Sequence, residues 1–406
     1  MTKVRDLHIN VKIRIIENFL SRFIGSMILP FMAIYLTIHF NATIAGFLLL
    51  FNVIIGVSIN FLSGYFSDYY GRRKIIVISE TIRFISFVVM AICNSPLYTL
   101  PLLTYAMMLV NSFCTGLTLP ANDAMLVDVS TEKQRKLIYS IMYWSGNLSV
   151  AIGGVLGAFL FEDYLFELFI ILSFLSFLVV VIVFLFIRES YYPNNDSIPI
   201  KSHIKGILTN YRFVLNDKKF ILFITASILI YSVEFQLSNY IAIRLSEVMP
   251  EQRIFGISID GIQTLGILKS ENTILVLILM LFVNKIAFKY NTRKTLVVSS
   301  LIFILGYSVM SYTVNFYILL IMMLIATIGE VIYGPLEQTY IANMTSEKHR
   351  SSYMAFNGLK GNLAMLIASI TVALSAIFPP IIISIFIFIL GIVGILIYRY
   401  LLSRIQ

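Results

Sequence analysis

Several ionisable side chains stand inside stretches of this chain that are otherwise apolar: Glu17 and Arg22, Glu80 and Arg83, Asp123, Glu234, Glu330 and Lys360. Placing a charge at membrane depth costs about 2.5 to 3.5 kcal/mol even on the most lenient insertion scale, so each must be paired or used. Glu80 and Arg83 are one helical turn apart and can satisfy each other. Glu330 is the leading candidate for chemistry, because it sits in GEVIYGP, where Gly334 and Pro335 loosen a helix and allow local bending. A carboxylate in a partly dry cavity can alternate between holding a proton and facing a cation, which is exchange chemistry and makes no covalent bond. A static ion pair between Glu330 and Lys360 is the rival reading. Glu234 is a second candidate, Asp123 and Glu17 are further ones, and Arg22 is expected to supply the cation that tunes Glu17 or Asp123. None of His8, His39, His203 and His349 lies well inside an apolar stretch, so protons would travel on carboxylates. No nucleophile, histidine and acid converge on one face, and no metal-ligand set is written, so neither an enzyme nor a metal centre is expected.

The elements that must hold these groups are membrane helices. Of 406 residues, 59% are hydrophobic and 13% charged, with a mean hydropathy of +0.89; soluble domains carry about a quarter charged residues. Apolar spans of about 20 residues cross a bilayer as helices, since hydrocarbon offers the backbone no hydrogen bonds. Twelve are expected, over 13–36, 43–63, 75–93, 98–121, 137–160, 165–187, 219–245, 272–288, 295–313, 316–340, 352–376 and 379–398. The first is too long for a signal-peptide core and carries Glu17 and Arg22, so it is expected to remain. Cys93 and Cys114 fall inside spans and read as small packing residues.

Most of the 30 Lys and Arg residues fall in the terminal segments and in the loops on one side of these spans, which places both termini in the cytoplasm by the positive-inside rule. Arg253 and Lys269 are the clear cases on the opposite side. The net charge of +9 is therefore a topology signal, and no nucleic-acid partner is expected. Residues 188–218 form a polar connection between an N-terminal bundle, 1–187, and a C-terminal bundle, 219–406, of six spans each. An offset of 215 aligns Pro120 with Pro335, Glu132 with Glu347, Lys133 with Lys348, Arg135 with Arg350, and Gly146-Asn147-Leu148 with Gly361-Asn362-Leu363. A weaker echo pairs FMAIYL at 31–36 with YIAIRL at 240–245. A duplicated six-helix unit with a site near the midplane is a transporter plan. No G-x-x-x-x-G-K-[ST] occurs, so an ion gradient, or the substrate's own, would supply the energy and no cofactor is required.

One phrase narrows the class. GYFSDYYGRRK at 64–74 sets Gly64, Asp68, Gly71, Arg72 and Arg73 between spans 2 and 3. It resembles the signature loop of the major facilitator superfamily, whose fold is all-α, with twelve transmembrane helices in two pseudo-twofold-related bundles. More narrowly, NDAMLVDVSTEKQRK, YWSGNLSVAIGGVLGAFLF and GEVIYGPLEQT resemble the proton-coupled multidrug antiporters of the lactococcal type. The resemblance implies that Asp68, Arg72 and Asp128 lock the outward-facing state, with the arginine paired to the acid of span 4. It also implies that Glu330 is the proton- and drug-linked glutamate, and Lys360 matches a lysine of the family. The second-half copy, NKIAFKYNTRK at 284–294, keeps only Arg293 and Lys294, so the lock is expected to be asymmetric.

Gly146, Gly153 and Gly157 on span 5 are spaced for close helix approach and partly match the glycine motif of antiporters, with Ala158 where the family has proline. Two departures stand out: Met142 replaces an acid before Tyr143 and Trp144, and Ser238 replaces one before Asn239. Asn111 stands near the depth of an arginine that many antiporters carry. The expected protein is a monomer of the bacterial plasma membrane. It would contact lipid, protons and small molecules, and export lipophilic, often cationic drugs by proton antiport. A dedicated exporter of one metabolite, metallophore, peptide or lipid is the alternative.

Overall fold

The computed structural model describes residues 7–190, 214–254, 256–287, 291–344 and 350–403, with backbone alone at some helical positions, Gly64, Asp68 and 281–287 among them. The chain begins with α1 (Ile9–Ile28), a 3-10 turn (Leu29–Phe31) and α2 (Met32–Phe40). It continues through α3 (Ala42–Tyr70), α4 (Arg72–Cys93), α5 (Pro101–Asp128), α6 (Glu132–Phe161) and α7 (Leu165–Phe186). The second series is α8 (Lys218–Phe235), a 3-10 turn (Gln236–Ser238), α9 (Tyr240–Val248), α10 (Gly261–Ala287), α11 (Thr292–Met310), α12 (Phe316–Met344), α13 (Arg350–Gly358), α14 (Lys360–Ser375) and α15 (Pro380–Leu402). Two small antiparallel hairpins follow α4 and α9, one pairing Asn94 with Thr99 and the other Gln252 with Ile259. Among the described residues, twelve helical spans are long and apolar enough to cross a bilayer, with α1–α2, α8–α9 and the end of α13 with α14 each counted as one. Their outward faces suit lipid: Phe174 and Leu185 on α7 and Ile381 and Ile385 on α15 are large, apolar and exposed.

Local sequence sets where helices start and stop. Asp217 accepts the Phe220 amide at 3.1 Å, and Asn291 accepts those of Arg293 and Lys294 at 3.1 and 3.2 Å, satisfying donors that a first turn leaves open. Pro101 and Pro380 open their helices, where a missing N–H costs nothing. Helix α3 runs seven residues past the expected end of span 2 at 63, and the connection to α4 shrinks to Gly71 at φ 90°, ψ 146°. A side chain rarely tolerates that backbone, so glycine is what lets two helices meet across one residue.

Helix α10 departs further from the expected span 272–288. It begins at Gly261, where Asp260 accepts the Gln263 amide at 2.7 Å, and so places Lys269 inside a helix and not in a loop. The polar run Lys269-Ser270-Glu271-Asn272 interrupts the hydropathy that would have marked it.

By contacts the chain divides into two units, Met1–Leu29 with Phe51–Ile204, and Pro30–Leu50 with Lys205–Gln406. These differ from the halves read in the sequence by one exchange. Pro30 interrupts the first span, and the nine-residue α2 beyond it packs on α9 within the second unit. Helix α9 is itself nine residues long and follows a 3-10 turn, so the FMAIYL and YIAIRL segments occupy matching breaks. Pro120 and Pro335 likewise fall inside α5 and α12. Most of the 188–218 connection lies outside the described residues.

Within the first unit α1 lies against α6, and the three glycines of α6 make the contact. A Cβ on Gly157 would stand 2.2 Å from the Met27 carbonyl oxygen, one on Gly153 2.9 Å from that of Phe23, and one on Gly146 2.9 Å from Cδ of Arg22. The motif is therefore a groove into which the α1 backbone sinks. Gly157→Ala should destabilise the protein by about 1 to 3 kcal/mol, because backbone cannot yield as a side chain does. Gly56→Ala, whose Cβ would meet nothing within 4 Å, should be neutral; thermal unfolding of both variants in detergent checks this.

Candidate functional site

In the second unit, helices α8, α10, α12 and α14 bring together polar groups that the sequence scatters over some 130 residues. Glu330, half-buried on α12, accepts a hydrogen bond from Asn272 Nδ2 of α10 at 2.8 Å. The same amide donates to Thr327 Oγ1 at 3.0 Å, one turn back on α12. Three residues before Asn272, and so on the same face of α10, Lys269 Nζ donates to Ser238 Oγ at 2.6 Å. Glu234, also half-buried, lies one turn before Ser238 at the end of α8, within electrostatic reach of Glu330, Lys269, Lys360 and Glu337. Among the described residues neither Glu234 nor Glu330 has an ion-pair partner.

The rival reading of Glu330 is corrected here. Lys360 pairs with Glu337, at 2.9 and 2.8 Å to its two carboxylate oxygens, and not with Glu330. Glu337 is two helical turns beyond Glu330 on α12, and α14 starts at Lys360, so the lysine meets the acid nearer the end of α12. The pair is nearly dry, with 11% and 3% of the side chains exposed, and Lys360 also lies over the Tyr231 ring at 5.0 Å. Glu337 was not singled out in the sequence, although an acid two turns from Glu330 in GPLEQT was the available signal. Beyond the pair, Ser227 and Tyr398 share a hydrogen bond of 2.7 Å, and Tyr333 reaches Tyr398 at 3.4 Å, which knits α8, α12 and α15.

The first unit distributes its charges differently. Glu17 is buried, paired with Arg14 and bonded by Ser21 Oγ at 3.2 Å. Arg22 lies over Gly146 and donates to Asn18 Oδ1 at 3.3 Å, so it does not pair with Glu17. Asp123 is exposed on α5, in the field of Arg14 and Arg22. Glu80 and Arg83 satisfy each other at 2.9 Å, and Asn111 accepts from Arg83 at 3.3 Å and donates to Ser86 at 2.5 Å. This closed network ties α4 to α5. Met142, where an acid was expected, packs against an apolar cluster of Leu7, Val11, Leu126 and Ile138.

At the GRRK end of the same unit, Arg72 Nε and Asp128 Oδ2 form an ion pair of 2.9 Å, and Ser190 Oγ donates to that oxygen at 3.0 Å. Glu189 caps α4, accepting the Arg72 amide at 3.1 Å and the Arg73 amide at 3.1 Å. Arg73 is held in turn by the carbonyls of Ile187 at 2.7 Å and Phe184 at 2.8 Å. Sequence reading passed over Glu189, one of three acids in a basic segment. Gly71 makes the turn; the surroundings of Gly64 and of the Asp68 side chain lie outside the described residues. In the second-half counterpart Arg293 bonds the Arg399 carbonyl at 3.3 Å, and 288–290 lies outside the described residues.

The chain thus holds half-buried carboxylates without ion-pair partners among the described residues, and an arginine paired to the acid that ends α5. The model of the Major Facilitator Superfamily matches residues 16–249 and 245–405. The chain belongs to that superfamily. It is accordingly a multi-pass membrane protein and a secondary transporter, not an enzyme. A protein of Planococcus maritimus named Na(+), Li(+), K(+)/H(+) antiporter is 28% identical over 386 residues, 92% of this chain and 91% of the relative. The multidrug resistance protein MdtH of Blochmanniella floridana is 24% identical over 341 residues, 82% of this chain and 80% of its own length. Among solved structures, the nucleoside transporter NupG has a TM-score of 0.75 at 13% identity, covering 98% of this chain and 100% of that one. A POT family transporter bound to a thioalcohol-conjugated peptide has 0.75 at 16%, covering 97% and 95%. At such identities the structures show a shared fold alone.

The Glu337–Lys360 pair yields a stability prediction. Glu337→Gln strands a lysine that is 11% exposed and should cost about 3 to 5 kcal/mol, whereas neutralising both partners should recover most of the loss. Thermal unfolding of the two single variants and the Glu337→Gln/Lys360→Gln double variant in detergent measures the difference.

Proposed function

We propose that this superfamily member is a proton-coupled antiporter that exports lipophilic, often cationic compounds by alternating access, as in the lactococcal multidrug type. The proton gradient supplies the energy and no cofactor takes part. One observation carries the reading: Glu330 and Glu234 are half-buried and have no ion-pair partner among the described residues, while Lys360 is committed to Glu337. A carboxylate so placed is neutralised by a proton or by a cation, and exchanging one for the other is antiport. Asn272 orients Glu330 without neutralising it. Tyr231 and Phe235, stacked edge to face at 5.1 Å beside Glu234, offer aromatic surface to a lipophilic cation.

The remaining assignments follow from that cycle. Asp68, Arg72 and Asp128 form the gate, with the 2.9 Å Arg72–Asp128 pair as its observed half. Asp123, Glu17 and Arg22 form a secondary charged group in the first unit. The basic loops favour a membrane protein with both termini cytoplasmic; a bacterial plasma membrane and a monomeric working state complete the proposal.

A second reading has its own support. The relative that matches 92% of this chain is named as an antiporter of sodium, lithium and potassium, so the exported cation is inorganic in that alternative. Both readings use the same carboxylates.

Liposomes with an imposed pH gradient separate them. Ethidium efflux from wild-type liposomes that falls to background in Glu330→Gln supports the drug reading. Sodium movement with the same mutant dependence, and no ethidium efflux, supports the inorganic one. Efflux that persists at the wild-type rate in both Glu330→Gln and Glu234→Gln contradicts the role given to this cluster.

A further inference from the structure

Lys269 is the one charged group of the second-unit cluster with no use so far. Its ammonium donates to the Ser238 hydroxyl at 2.6 Å and has no carboxylate partner within ion-pair distance among the described residues. It stands on the face of α10 that also carries Asn272, the donor to Glu330, and within reach of the Glu234 charge. Glu271, two residues on, lies on the other side of the helix.

Resting on the reading above, we propose that Lys269 sets the charge of the cargo: its tethered ammonium supplies one permanent positive charge at the Glu234–Glu330 site, so that the site takes monocations and rejects dications. The charge count is short. Lys360 and Glu337 cancel in their own ion pair, at 2.8 and 2.9 Å. Tyr231 and Tyr307, which also face the carboxylates, are neutral phenols. Glu234, Glu330 and Lys269 remain, and two carboxylates with one ammonium leave a single negative charge. One monocation neutralises it, and one proton does the same, so proton and cargo replace each other without leaving excess charge in a half-dry site. A dication would leave one positive charge there, which a low-dielectric site penalises.

A purely structural Lys269, present only to bond Ser238, would show no such dependence, since glutamine keeps the bond and removes the charge. Ser238 also marks the place where an acid was expected in the sequence, so Ser238→Asp offers an independent way to cancel the lysine.

Ethidium and propidium share one ring system and differ by one positive charge, which makes them the probes. In liposomes under a pH gradient, wild type should move ethidium and exclude propidium. Lys269→Gln and Ser238→Asp should each raise propidium efflux by about tenfold or more, the least that one charge at a half-buried site is expected to give. Lys269→Arg should keep the wild-type pattern. If both charge-changing variants move ethidium and still exclude propidium, the inference is overturned and the antiport reading stands. If wild type already moves propidium as fast as ethidium, the inference is overturned as well. If no variant exchanges any cation for protons, the antiport reading fails and this inference with it.

Discussion

A charge at membrane depth has three ways to be neutralised: a partner in the same chain, a proton, or something the protein carries. Hydrocarbon supplies none of them, and the cost of leaving a charge alone exceeds what most single contacts return. This constraint sorts the intramembrane charges of the molecule into two kinds. Glu80 with Arg83 and Glu17 with Arg14 are closed within one helix each, and Glu337 with Lys360 closes between two. On the proposed reading Glu234 and Glu330, without ion-pair partners among the described residues, are left for the other two options, and Lys269 accompanies them bonded to a hydroxyl. On that reading structural and functional charges differ by the presence or absence of a fixed counter-charge, not by residue type.

The same economy governs the packing. Lipid gives helices no hydrophobic reason to associate, so small residues and buried polar contacts hold them. Helix α1 rests on α6 because three glycines leave its backbone room, and the Asn111–Ser86 bond with Arg83 joins α4 to α5. At the GRRK end, Gly71 shortens a connection to one residue so that Arg72 starts a helix within reach of Asp128, while Glu189 caps that helix from the segment after α7. The proposed gate, an ion pair and a helix cap, could open without unpacking apolar surface, as a carrier's cycle requires.

Much of the architecture was legible in the sequence because it rests on length and hydropathy. Twelve spans and the Pro120–Pro335 correspondence are visible as apolar runs and as an aligned repeat. The Arg72–Asp128 contact was readable only through the resemblance of GYFSDYYGRRK to a known loop. What the sequence hid was contact across helices. Lys269 looked like a loop residue because four consecutive polar positions break the hydropathy of α10, though an aspartate cap begins that helix eight residues earlier. Lys360 looked like a partner for Glu330 because depth along a span is readable while the rotation and start of the neighbouring helix are not; the structure gives it to Glu337. Residues 30–50 also pack with the second unit, an exchange that no periodicity announces.

As proposed, Glu330 and Glu234 trade a proton for a cation. The most direct test is the number of protons released when purified protein in detergent binds a cation, measured calorimetrically in buffers of different ionisation enthalpy, with tetraphenylphosphonium and sodium as the two ligands. Wild type should release about one proton per bound cation, falling towards zero in Glu330→Gln/Glu234→Gln. Binding that releases no proton in wild type, or the same release from the double variant, would contradict it.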